Sequence, residues 1–220
     1  MSARGAASRP LPRGVVFDLD GTLVDGYLGI TTGVNAARAA FSLPALTVDD
    51  VRGRVGLGLP HLMEDVVGPE RAVAGAAIFR AVYDRVCEDQ TRPVPALADT
   101  LLGLAARGVR MSVASNKPAA YSIRILERLG VRPHFDAVEG PETAGATKPD
   151  PAMIRACLRA MRIDSQEALY VGDMTIDALA GAQAGVAVVL VAGGSSTAAE
   201  LAATGCPVLS SLAELIAYVT

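Results

Sequence analysis

Tryptophan is absent from the sequence, and phenylalanine and tyrosine together make up only 4% of it. A core must therefore be built from Ala, Val, Leu and Ile; hydrophobic residues at 51% supply it and exclude global disorder. Cysteine is scarce too. Cys87, Cys157 and Cys206 are odd in number, far apart and without metal-ligand spacing, which points to reduced thiols in a cytoplasmic protein rather than a disulfide framework. No apolar run reaches the roughly 18 residues that a membrane span requires, so no membrane partner is expected. The net charge of -3 lacks the basic excess of a nucleic-acid-binding surface, and no nucleic-acid partner is expected either. Scarcest of the basic residues is lysine, present only as Lys117 and Lys148. Arginine replaces most surface lysines but fits poorly where a compact point charge must sit in a tight site, so each lysine is a candidate functional residue.

What is present is an alternation of short β-like runs with helical stretches. The 220 residues suffice for one mid-sized domain or a domain carrying an insertion. Residues 1–13 are rich in Arg, Ser and Ala, lack acids and lead into no apolar signal segment; they read as a disordered start, with an organellar address as the alternative. Strands are expected at Val15–Asp18, Arg110–Ala114, Ala137–Glu139, Leu169–Gly172 and Ala187–Val191, with a short edge strand at Pro207–Leu209. Helical spacing covers Ala96–Arg107, Ala119–Leu129, Pro151–Met161, Ile176–Ala184 and Thr197–Ala203, and Gly108, Gly130 and Gly185 follow three of these as C-caps. Buried Val-rich strands alternating with helices predict an α/β fold, a doubly wound parallel sheet. Between about Tyr27 and Arg92 no strand is legible. A helical block of that length is too long for a crossover and reads as an inserted domain over residues 26–92, dividing a core made of residues 14–25 and 93–220.

In such sheets ligands sit at the carboxyl ends of the strands. The first strand runs into Asp18-Leu19-Asp20-Gly21-Thr22; two carboxylates one residue apart point to the same side in extended chain, a crowding that a cation or a shared proton relieves. An ordinary Asx-type turn is the other reading. The next core strand ends in Ser115-Asn116-Lys117, where Ser115 suits a phosphate oxygen or simply caps a helix. Asp173 and Asp177 follow a third strand one helical turn apart, sharing a face or compensating the helix dipole. Lys148 precedes Pro149 in a loop leading to a helix.

Taken in order, a DxDGT loop, a Ser-Asn after the next core strand, a Lys-Pro and a GDxxxD segment resemble the haloacid dehalogenase-like superfamily over Val15 to about Leu215. The helical block resembles that superfamily's first type of cap, and Val51–Pro60 is similar to the cap of its phosphoglycolate phosphatases. The resemblance implies that Asp18 is a nucleophile forming an aspartyl phosphate and Asp20 a general acid and base. It implies Mg2+ held by Asp18, the Asp20 carbonyl and Asp173, with Asp177 in support. Lys148, Ser115, Asn116 and the amides of Gly21 and Thr22 would bind the phosphoryl group. Arg52, Arg54 and Gly56 are the cap residues expected to meet the substrate, or else lie on a solvated helix face. Gly26 and Met174 stand where the family commonly has Ser.

The implied substrate is a small phosphorylated metabolite, 2-phosphoglycolate first, for a monomer or homodimer. Sugar-phosphate phosphatase, phosphomutase and pyrophosphatase activities share the machinery. A phosphonoacetaldehyde hydrolase would need a cap lysine, and no lysine lies in the block. A receiver-type phospho-acceptor module, the alternative of another class, is about half this length and carries its acceptor Asp after a later strand. His61 and His134 lack partners at ligand spacing and read as structural or solvated.

Overall fold

Strands without a polar face need cover on both sides, and a parallel sheet between helical layers gives it to them. The computed structural model describes residues 11–220 and has that arrangement. In chain order, β1 (Gly14–Phe17) and β2 (Val24–Asp25) precede the helices α1 (Tyr27–Ala40), α2 (Val48–Arg52), α3 (Leu59–Val67) and α4 (Ala72–Val86). Next come β3 (Arg92–Pro93), α5 (Leu97–Ala105), β4 (Arg110–Ala114), α6 (Ala119–Arg128), β5 (Val138–Glu139) and α7 (Pro141–Ala144). The chain continues through α8 (Ala152–Met161), β6 (Ala168–Gly172), α9 (Thr175–Ala184) and β7 (Ala187–Val191). It closes with α10 (Ala198–Ala203), β8 (Val208–Leu209) and α11 (Leu215–Tyr218).

Six strands form one parallel sheet in the order β5-β4-β1-β6-β7-β8. β1 is central, with Phe17 opposite Val113 on one side and Val171 on the other. The connections run to opposite sides of β1, so the crevice of a topological switch point opens at its carboxyl end. β1 is buried along its whole length, and Val15, Phe17, Val113 and Val171 belong to one apolar core.

The helical cap, α1 to α4, packs on itself through Ile30, Val34, Met63, Val66 and Phe79. It is joined to the sheet by an antiparallel ribbon that pairs Val24 with Pro93 and Asp25 with Arg92. Two-residue strands show no period, which is why this ribbon was not legible. β1 stops at Phe17, one residue short of expectation, leaving Asp18 as the first residue of the loop. The helix expected from Ala96 begins at Leu97, because Ala96 adopts the left-handed conformation with φ 64°. Gly108, Gly130 and Gly185 have φ of 74°, 72° and 74°, the left-handed conformation a C-terminal glycine accommodates. Of the expected disordered start, residues 1–10 lie outside the described residues. Arg13 donates its N–H to the Glu167 carbonyl and accepts from the Arg110 N–H. Among the described residues no helix is long and apolar enough to cross a membrane.

Candidate active site

Parallel strands send their carboxyl ends to one edge, where the loops after β1, β4, β6 and β7 meet. Asp18 is held there by its N–H, which donates to the Val171 carbonyl at 2.8 Å. Lys148, from the loop before α8, brings its Nζ to 2.9 Å from Asp18 Oδ1 and 2.7 Å from Asp177 Oδ1. It also donates to the Tyr170 hydroxyl at 3.1 Å. Burial works against this ammonium, but Asp177 and Asp18 outweigh it and hold its pKa above the ordinary lysine value. The second oxygen of Asp177 accepts the N–H groups of Asp173 and Met174, so both its oxygens are engaged.

Asp173 is fully buried and accepts from the Thr22 hydroxyl at 3.1 Å and the Ser195 N–H at 2.6 Å. Burial, then repulsion from Asp18 and Asp177, pushes its pKa well above the usual carboxylate range. Space around it is tight. A Cβ on Gly21, whose φ is 83°, or on Gly194 would collide with Asp173 Oδ2.

Asp18, Asp173 and Asp177 each present an oxygen within 4.8 Å of the others, all buried. Asp18 Oδ1 makes no directed hydrogen bond despite its ion pair with Lys148. Hard oxygen donors gathered in one buried cluster, with Asp18 Oδ1 lacking a hydrogen-bond partner, fit a hard divalent cation such as Mg2+, while Asp177 has both oxygens engaged and stands in support.

Asp20 faces another way. Once β1 has ended, the alternation of extended chain no longer applies, and each of the two carboxylates has its own lysine. Lys117 Nζ lies 2.6 Å from Asp20 Oδ2 and 2.8 Å from Oδ1, and donates to the Tyr83 hydroxyl at 2.7 Å. Burial raises the Asp20 pKa even though Lys117 opposes it. Burial pushes the Tyr83 phenol up to about 12, so it stays protonated and accepts from the ammonium. Lys117 was marked in the sequence only by the rarity of its type, and Tyr83, Tyr170 and Ser195 by nothing.

Several expected contacts are otherwise engaged. The Asn116 side chain, expected on the phosphoryl group, donates to the carbonyls of Gly56 and Lys148 at 2.8 and 3.2 Å and accepts from the Lys148 N–H at 2.7 Å. It ties the cap loop to the Lys148 loop instead. The amides of Gly21 and Thr22 donate to the carbonyls of Val24 and Leu19, closing their own turn. Arg52 stacks 4.1 Å from the Tyr27 ring centroid and pairs with Asp25 at 3.6 Å; Arg54 pairs with Asp65 at 2.8 Å. Neither lines the cavity, because nearby acids capture both guanidiniums. Ser115 is buried, with its hydroxyl accepting from the Lys117 N–H at 3.3 Å.

The cavity above these groups measures about 610 Å³ and is lined by Asp18, Asp20, Ser115, Lys117 and Lys148 on the sheet side. Ile30, Leu62 and Phe79 line it from the cap, along with Gly56. His61 and Arg80, both exposed, also border it, so His61 is solvated as expected and stands at the cavity as well.

The family model described as haloacid dehalogenase-like hydrolase matches residues 15–191. The chain belongs to that family. Among curated relatives, it is 34% identical to phosphoglycolate phosphatase 1 of Pseudomonas aeruginosa over 80% of this chain and 68% of the relative. It is 36% identical to a phosphoglycolate phosphatase of Caulobacter vibrioides, covering 82% and 79% of the two chains. A haloacid dehalogenase-like family hydrolase from Streptococcus pneumoniae shares the fold, with a TM-score of 0.87 and 21% identity over 95% and 99% of the two chains. This hydrolase is therefore an enzyme of the phosphoric-monoester class, in a phosphoglycolate phosphatase-like subfamily.

Proposed function

We propose that this chain is a Mg2+-dependent phosphatase that hydrolyses a small phosphate monoester through an aspartyl phosphate on Asp18. The observation that carries the proposal is the meeting of Asp18 with Lys148 and Asp173, each more than a hundred residues further along the chain, in one buried cluster. Asp18, Asp173 and the Asp20 carbonyl would hold the cation, with Asp177 orienting Lys148; the cation supplies positive charge against the phosphoryl oxygens and the crowded carboxylates.

An Asp18 oxygen attacks phosphorus, the bond to the leaving oxygen breaks, and Asp20 gives that oxygen a proton. Asp20 then takes a proton from water, which attacks the same phosphorus and releases inorganic phosphate and free Asp18. Lys148 and the Ser115 hydroxyl stabilise the charge on the phosphoryl oxygens. Residues 26–92 act as the cap that encloses the leaving group and excludes water.

The names of the relatives support 2-phosphoglycolate as the first substrate to try. Arg80 is the cap cation on the cavity wall that would meet its carboxylate. A second reading, a bulkier sugar phosphate, is favoured by the cavity's volume of about 610 Å³. Three free thiols support a reducing, cytoplasmic setting.

A phosphate-release screen over 2-phosphoglycolate, sugar phosphates, pyrophosphate and nucleoside monophosphates, with Mg2+ and with EDTA, tests the proposal. Release from one of these that depends on Mg2+ and disappears in Asp18→Asn is the expected result. No release from any substrate would refute the phosphatase reading, whereas a clear preference for a hexose phosphate would refute only the assignment to phosphoglycolate.

A further inference from the structure

The cap reaches the catalytic loop through one buried polar chain. Tyr83 stands on α4, and its hydroxyl accepts from Lys117 Nζ at 2.7 Å. The same ammonium bridges both oxygens of Asp20 at 2.6 and 2.8 Å. None of the three is free to wander. The Lys117 side chain is 7% exposed, and the Tyr83 ring is stacked on Phe79 at 5.1 Å and set edge-on to Tyr121 at 5.1 Å.

A separate observation concerns the space Asp20 occupies. Gly26, immediately before α1, lies so close that a Cβ there would stand 2.5 Å from Asp20 Oδ1. The missing side chain leaves room for the Asp20 rotamer that meets Lys117. The backbone itself does not require glycine, since φ is -102°.

We propose that Tyr83 is a positioning residue that, through Lys117, aims the Asp20 carboxyl group at the leaving oxygen only when the cap is seated on the sheet. The inference rests on the acid–base role proposed for Asp20. With the cap lifted, Lys117 loses the acceptor that fixes its ammonium, and its hold on the Asp20 rotamer slackens. Proton delivery is thereby coupled to enclosure of the substrate, and the cap influences the reaction without itself touching phosphorus.

Leaving-group dependence separates this role from a structural one. An alkyl phosphate needs a proton as its oxygen departs, whereas p-nitrophenyl phosphate releases a stable anion without one. kcat/KM reports on steps up to that departure and so excludes the later hydrolysis of the aspartyl phosphate. Tyr83→Phe keeps the ring packing and removes only the hydroxyl. The expected result is a fall of about tenfold in kcat/KM for the best alkyl phosphate, the worth of one hydrogen bond to a charged group, with p-nitrophenyl phosphate changed less than about twofold. Lys117→Met should show the same selectivity, and Asp20→Asn a larger one.

A parallel fall on both substrates, or no change on either, overturns the inference. Selectivity in Asp20→Asn without selectivity in Tyr83→Phe and Lys117→Met overturns it while leaving the acid–base reading intact. Equal effects of Asp20→Asn on both substrates overturn the acid–base reading and this inference with it. Thermal melting of each variant beside the parent confirms that the comparison is between folded proteins.

Discussion

Replacing Lys148 with methionine removes one charge and little volume from the centre of the site. The ammonium is buried, pairs with Asp18 at 2.9 Å and Asp177 at 2.7 Å, and stands against three carboxylates clustered within 4.8 Å. Removing one partner of a buried pair costs about 3–5 kcal/mol, because the other charge is left uncompensated. A chain of this size loses about 2–4 °C of Tm per kcal/mol, so Lys148→Met should melt roughly 6–20 °C below the parent in EDTA. The already raised pKa of Asp173 lets that group take up a proton, which favours the lower half of the range. A divalent cation bound among the same oxygens would replace much of the missing charge. Adding Mg2+ should therefore raise the Tm of the variant by more than it raises that of the parent, although turnover stays low. Scanning calorimetry of both proteins with EDTA and with Mg2+ makes the comparison. Equal melting in EDTA, or an equal gain from Mg2+, would refute the reasoning that Lys148 and the cation share one field of negative charge.

Gly21→Ala would force a side chain into a left-handed backbone position and against Asp173, costing about 1–3 kcal/mol from the backbone alone; urea denaturation should show the lower midpoint. Ser115→Ala should lower kcat about 10²–10³-fold as one phosphoryl donor is lost, with an unchanged Tm separating this from misfolding. Thr47→Ala removes the hydroxyl that accepts the Asp50 N–H at 3.1 Å at the start of α2, and should cost about 1 kcal/mol in equilibrium unfolding.

The alternation of Val-rich runs and helical spacing was enough to place the strands that carry Asp18, Ser115 and Asp173, because parallel strands flanked by helices admit few topologies. Lys148 was legible from the rarity of its type. Local context could not show which way Asp20 points: its partner is 97 residues away, and the strand geometry that would pair it with Asp18 ends at Phe17. Arg52 and Arg54 illustrate the opposite difficulty. The resemblance offered them to the substrate or to a solvated helix face, and their guanidiniums instead pair with Asp25 and Asp65, acids that local sequence does not single out. Asn116 sits one residue from Ser115, yet its amide both donates to the Lys148 and Gly56 carbonyls and accepts from the Lys148 N–H, so it acts as a strut between two loops.

Both lysines of the chain point inward, with side chains 7% and 2% exposed. The folded surface consequently offers no side-chain primary amine to acylating reagents, to amine cross-linkers or to lysine-directed modification. A reagent would have to reach Lys117 or Lys148 through the cavity that both line, so a molecule bound there should slow their modification. Arginine supplies the exposed basic charge instead, while the two amines stay beside Asp20 and Asp18.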